Sequence, residues 1–163
     1  ESAAGLYILR HSCAHLLAQA VTELFPDAKS TIGPPIDHGF YYDFYMDPIG
    51  DEELRMIEKK MKEHIRANHK IIREEFDNAG LREVIADNKF KLEIMEEKIG
   101  DEVGSSAYRQ GDFIDMCRGP HAPSTSHLRF FKLTSTSQAY WRADSKREPL
   151  TRIYGMCYAT KEE

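Results

Sequence analysis

Two short segments of this 163-residue chain concentrate side chains that can move protons or hold a metal. The first is His11-Ser12-Cys13-Ala14-His15. On a helix, residues four apart share one face, about 5–6 Å apart at Cβ, so His11 and His15 can converge on one small object. Cys13 points away from both imidazoles and joins the apolar stripe. The second segment is Asp115-Met116-Cys117-Arg118-Gly119-Pro120-His121, where Gly-Pro forces a turn that can bring thiol and imidazole together at a strand end. Each segment alone has a plain structural explanation: helix histidines that pack by chance, or a buried inert cysteine. Together they offer three imidazoles and a thiol, the Cys/His mixture of a tetrahedral zinc site, with Asp115 adjacent. Packing does not readily explain such a loop-borne cluster. The pair of segments marks a site without naming its reaction.

The other candidates read more plainly. Lys91, between Phe90 and Leu92, has the look of a solvated helix charge. His38, His64, His69 and His127 are isolated, as surface or turn histidines usually are. Trp141 beside Tyr140 suits a sheet core better than a base-stacking platform, and Cys157 lies in an apolar strand.

The elements that must position these residues follow from periodicity. Leu6, Leu9, Cys13, Leu17, Ala20 and Leu24 recur at three-to-four spacing and predict a helix over 6–24 that Pro26 stops. Ile32-Gly33-Pro34-Pro35-Ile36-Asp37-His38-Gly39 is turn chemistry, and the aromatic run 40–45 predicts a strand. Leu54, Ile57, Met61 and Ile65 stripe a charged helix over 51–67, with Asp51-Glu52-Glu53 suited to its N-terminus. A strand over 70–76, a short helix over 81–87 and a helix over 88–98, with Phe90, Ile94 and Lys98 on one side, come next. Short strands over 113–116, 129–133, 139–142 and 150–158 complete the pattern. The expected fold class is α+β: an antiparallel β-sheet packed with several helices in one compact domain spanning 1–163.

Composition limits the function classes. Hydrophobic residues at 41% and charged residues at 30% describe a globular chain that can bury a core. No apolar run approaches the roughly 18 residues that span a bilayer, and no signal peptide opens the sequence, so no membrane partner is expected. Three widely spaced cysteines imply no disulfide framework and suggest a reducing, cytoplasmic setting. A net charge of -5 argues against a free-standing, non-specific nucleic-acid binder. The charge is uneven, with 13 basic and 21 acidic residues over 1–104 against 9 and 6 over 105–163. A polyanionic partner is therefore expected at the C-terminal third.

Several separated motifs resemble one family. Arg10-His11-Ser12-Cys13-Ala14-His15-Leu16-Leu17-Ala18-Gln19-Ala20, Ile32-Gly33-Pro34-Pro35-Ile36, Gly39-Phe40-Tyr41-Tyr42-Asp43, Lys91-Leu92-Glu93-Ile94, Asp115 to His121 and Arg152-Ile153-Tyr154-Gly155 come in the order seen in the N-terminal editing domain of threonyl-tRNA synthetases. That domain is shared in outline with alanyl-tRNA synthetase. Neither the ATP-binding aminoacylation core nor an anticodon-binding domain is found, so the chain resembles an excised module or a stand-alone editing protein.

The resemblance implies proofreading hydrolysis of mischarged seryl-tRNA(Thr), with the aminoacylated 3′ end of tRNA(Thr) and the remaining synthetase domains as partners. One methyl separates serine from threonine, a difference worth only about 1–3 kcal/mol, or roughly 10–200-fold, in a single pocket. A second pocket reverses the test: serine fits beside the hydrolytic water, and the extra methyl of threonine clashes or displaces it. The resemblance carries over His11, His15, Cys117 and His121 as the site core, with Lys91 and Asp115 assisting. No cofactor is expected to be required; if a metal binds, the same four residues would hold zinc. Three other readings remain, one of them a non-catalytic tRNA-binding module whose site has decayed, against which the intact set of six residues speaks. An alanyl-type deacylase acting on seryl- or glycyl-tRNA(Ala) would use the same skeleton, against which the Arg118-Gly119-Pro120 spacer and 91–94 look threonyl. A small zinc hydrolase would lack the glutamate of His-Glu-x-x-His, since Ser12 stands there.

Overall fold

A computed structural model describes residues 3–97, 104–117 and 119–160; the expected contributions of Lys98 and Arg118 lie outside them. The order is α1 (Ala3–Leu24), β1 (Lys29–Ser30), β2 (Pro35–Ile36), β3 (Gly39–Tyr45), α2 (Asp51–Ala67), β4 (Ile72–Asp77), α3 (Asn78–Val84), α4 (Lys89–Glu97), β5 (Gly104–Gln110), β6 (Phe113–Met116), β7 (Phe131–Tyr140) and β8 (Pro149–Cys157). This is the expected α+β class, with two antiparallel sheets where one was expected. The larger runs β1-β3-β8-β7 with β2 on β3, and the smaller runs β4-β5-β6.

Helix α1 is the axis of the molecule. The apolar stripe predicts a one-sided helix, yet every residue from Ser12 to Val21 is buried. Leu16, Leu17 and Val21 join Phe40, Phe44, Ile57, Met61 and Ile153 in the main core, with β3, α2 and β8 packed against the helix. Its polar residues must therefore find partners inside the protein. Gln19 donates to the Gln110 carbonyl at 3.1 Å and accepts from the Gln110 amide at 2.8 Å, tying α1 to the small sheet. Cys13 and Cys157, far apart in sequence, meet in the core as free thiols.

Helix α2 matches the expected span. The Glu53 carboxylate accepts from the Gly50 amide at its start, and Asn68 closes it in the left-handed conformation. Helix α3 begins earlier than expected because Asp77 accepts from the Gly80 amide at 2.7 Å and caps it. The strands expected over 129–133 and 139–142 are one strand, β7. Its polar middle, Thr134 to Gln138, suits a strand with one exposed face and had the composition of a turn. Strand β5 was not anticipated.

Candidate active site

The described residues contain one compact His/Cys cluster, and it joins both segments singled out in the sequence. His11, His15, Cys117 and His121 bring their ligand atoms within 4.8 Å of one another. The i, i+4 spacing on α1 places the first two rings 5.2 Å apart. The loop after β6 supplies the rest: Cys117 Sγ lies 3.4 Å from His11 Nε2 and 3.3 Å from His121 Nε2. The His121 ring stacks on His11 at 4.4 Å and meets His15 edge-on at 4.3 Å. Gly119 makes this return possible. Its φ is +76, and a Cβ there would run into the Tyr108 hydroxyl. Tyr108 in turn packs edge-on against His121 at 4.4 Å.

Beneath the imidazoles lies a buried ion pair. Lys91 Nζ is 2.8 Å from Asp115 Oδ1, with side chains only 6% and 4% exposed. The solvated-charge reading of Lys91 is thus replaced by a buried ammonium. Tyr42 completes the group: its hydroxyl donates to Asp115 Oδ2 at 2.8 Å and accepts from Lys91 Nζ at 3.0 Å. Burial alone would lower the Lys91 pKa, but Asp115 and Tyr42 outweigh it and keep the amine charged. Burial also raises the Tyr42 hydroxyl, reinforced by the Asp115 charge, so the phenol stays protonated.

The histidines move the other way. Burial drives His15 well below its ordinary value, and the His11 and Lys91 charges push in the same direction. His15 Nε2 stands 3.7 Å from Asp115 Oδ2, so this contact joins a neutral ring to a carboxylate and is no ion pair. Burial takes His121 down to about 2, with His15 and His11 adding to the effect. His11 is lowered by burial, opposed by the Pro120 backbone and Asp115; its Nδ1 is buried without a partner of good geometry. The site at neutral pH is therefore three neutral imidazoles and a thiol-bearing loop over a charge-balanced Lys–Asp pair.

The four residues also fit a metal. Zinc with sulfur at about 2.3 Å and nitrogen at about 2.0–2.1 Å needs S···N separations of about 3.5 Å, close to those present.

Sequence reasoning brought His11, His15, Lys91, Asp115, Cys117 and His121 forward, and all six meet here. It missed Tyr42, Ser12 and Tyr108. Alternation in 40–44 held a usable signal for the first: Phe40, Tyr42 and Phe44 share the buried face, and a buried tyrosine hydroxyl needs a partner. The C-terminal cations prove largely paired with acids of the preceding two thirds. Arg142 meets Glu93 and Glu97, Arg147 meets Glu93, Lys132 meets Glu58, and Arg152 grips Asp43 through two bonds of 2.8 and 2.9 Å.

Fold and cluster together define a class: a two-sheet α+β domain that lays an HxxxH helix against a Cys-loop-His return over a buried lysine–carboxylate pair. Residues 106–154 match the sequence profile of the threonyl and alanyl tRNA synthetase second additional domain. That stretch carries the domain shared by threonyl and alanyl tRNA synthetases, and along its whole length the chain is similar to a segment of threonine–tRNA ligases. It is 49% identical over 164 residues to the threonine–tRNA ligase of Rubrobacter xylanophilus, covering 100% of this chain and 25% of the ligase. The ligase of Francisella philomiragia is 51% identical over 164 residues, with 98% of this chain and 25% of the ligase covered. That of Bordetella pertussis is 52% identical over 171 residues, with 100% and 25% covered. The chain thus spans about a quarter of the length of the curated relatives it matches. No helix among the described residues is long and apolar enough to cross a membrane.

Proposed function

We propose that this domain hydrolyses seryl-tRNA(Thr), releasing serine and tRNA(Thr), as the proofreading part of a longer threonyl-tRNA synthetase. The observation that carries the reading is the convergence of six acid–base and polar side chains from α1, α4, β6 and the loop to His121 on one place. An ester of a ribose hydroxyl is already reactive, so a positioned water suffices without a covalent nucleophile. The water oxygen bonds to the seryl carbonyl carbon, the ester C–O bond breaks, and the water's proton reaches the departing ribose oxygen. Lys91 and His11 position the water and the terminal adenosine, and the Lys91 ammonium stabilises charge developing on the ester oxygens. Asp115, fixed by Lys91 and Tyr42, recognises the seryl ammonium or hydroxyl. Cys117 and His121 wall the side-chain pocket, where the extra methyl of threonine is refused.

The reaction requires no cofactor in this reading. Should zinc bind, His11, His15, Cys117 and His121 would hold it, and it would supply a water of lowered pKa only if one further coordination position stayed open. The deciding experiment incubates the purified domain and a full-length parent synthetase with seryl-tRNA(Thr), threonyl-tRNA(Thr) and seryl-tRNA(Ala). Selective loss of the first is expected. Equal hydrolysis of the first two refutes proofreading, and preference for seryl-tRNA(Ala) moves the assignment to the alanyl type.

A further inference from the structure

Ser12 stands between the two site histidines of α1, fully buried, and it makes two hydrogen bonds, both to the loop that closes the site. The Ala122 amide donates to Ser12 Oγ at 2.8 Å, and His121 Nδ1 lies 3.0 Å from the same oxygen. A backbone amide can only donate, so Oγ is the acceptor in the first contact. The hydroxyl proton still needs an acceptor, because a buried polar hydrogen without one is costly. Thr22 on the same helix meets that need by returning its hydroxyl to the Ala18 carbonyl at 2.8 Å. Ser12 has no such bond, and among the described residues only His121 Nδ1 remains within its reach. The proton must therefore point at Nδ1, which then carries a lone pair. A neutral imidazole with a bare Nδ1 has its proton on Nε2, the nitrogen 3.3 Å from Cys117 Sγ.

We infer that Ser12 is a positioning residue that, with no metal in the cluster, locks neutral His121 in its Nε2–H form, so that His121 offers the site a proton and not a lone pair. The functional consequence rests on the hydrolytic reading above: His121 serves as a hydrogen-bond donor in the pocket wall, and the water's proton is accepted elsewhere. The opposite form, with Nδ1–H donating to Oγ, would satisfy the ring but strand the serine hydroxyl proton inside a fully buried helix turn. Ser12 also anchors Ala122, so one side chain sets both the position of the loop and the proton of the ring it carries.

The test is a long-range proton–nitrogen spectrum of the histidine rings in the nitrogen-labelled chain at pH 8, with His121 assigned by its loss in His121→Gln. The wild-type chain is expected to show His121 with nitrogen-bound hydrogen at Nε2. In Ser12→Ala the ring should redistribute towards the Nδ1–H form while backbone amide spectra stay native, and seryl-tRNA(Thr) hydrolysis should fall about 10-fold or more, the effect typical of losing an orienting partner. A wild-type His121 protonated at Nδ1, or a Ser12→Ala chain with an unchanged tautomer, overturns the inference. The wild-type spectrum decides alone if the variant fails to fold. A chain that shows the Nε2–H form yet hydrolyses no aminoacyl-tRNA refutes the editing reading and leaves the tautomer assignment standing.

Discussion

Removing Lys91 tests whether the charges beneath the site are a true pair. Its ammonium lies 2.8 Å from Asp115 Oδ1, and both side chains are almost wholly buried. At an effective dielectric constant of about 20, two unit charges at that distance attract by roughly 6 kcal/mol. Part of this offsets the cost of burying them, and deleting one partner of such a pair typically costs about 3–5 kcal/mol because the other charge is left stranded. Lys91→Met should therefore destabilise the fold by about that much, and Asp115→Asn by a similar amount. The double variant strands no charge, so its loss should fall short of the summed single losses by about 2 kcal/mol or more. His15 supplies a second signature. It is held neutral by burial, by His11 and by the Lys91 charge, while Asp115 lies 3.7 Å away. Without Lys91 one of these forces is gone and the carboxylate is unopposed, so the His15 pKa rises. The loss in Lys91→Met should then shrink as pH falls from 8 to 5.5, since a protonated His15 replaces the missing cation. Urea unfolding of the four proteins at both pH values measures this. Additivity within about 0.5 kcal/mol would refute the pairing, and a loss independent of pH would refute the role given to His15.

The His121 ring predicts acid lability of the whole domain. Its folded pKa is about 2 against an unfolded value of 6.5, so below pH 6.5 the unfolded chain binds a proton that the native one refuses. Between pH 7 and pH 5 this removes about 2 kcal/mol of stability, with His15 and His11 acting in the same direction; a flat urea-unfolding profile, measured with a chelator present, would contradict it. Tyr42→Phe should cost about 1–3 kcal/mol by stripping one bond from each buried charge, read as a lowered urea midpoint at unchanged slope. Gln19→Leu should cost a similar amount because the Gln110 amide loses its acceptor inside the protein; Gln19→Leu combined with Gln110→Leu should recover part of it in the same measurement.

The elements that carry long, regular patterns were legible. Leu54, Ile57, Met61 and Ile65 repeat with helical period, and the boundaries of α2 follow from them. The HxxxH pair was legible for the same reason, since its geometry depends on one helix alone. Lys91 was not. Its neighbours Phe90 and Met95 mark the buried side of α4, but a lysine there is intelligible only with Asp115 opposite, on a strand 24 residues later. Periodicity within one element does not report a partner on another. Strand β7 was divided in two because small polar residues suit turns and exposed strand faces equally well. The second sheet was hidden by the same limit, as pairing between β4 and β5 joins segments some thirty residues apart.

The paired surface charges alter what the net charge means. Residues 105–163 carry three more cations than anions in sequence, yet Arg142, Arg147 and Arg152 spend their charge on Glu93, Glu97 and Asp43. Affinity for a polyanion grows with the number of phosphates neutralised, and cations engaged within the fold release fewer counterions. On the proposed function, a proofreading domain has no need of that affinity where the rest of a longer synthetase holds the tRNA. What it must supply is discrimination at the aminoacyl end, and that depends on positions fixed to fractions of an ångström. The sequence places its interactions accordingly. Gln19, His15 and Ser12 are buried on α1 with polar partners, Lys91, Asp115 and Tyr42 hold one another in place, and Gly119 lets the loop reach His121 back against the helix. Rigidity at the cluster and reticence at the surface follow from the same set of residues.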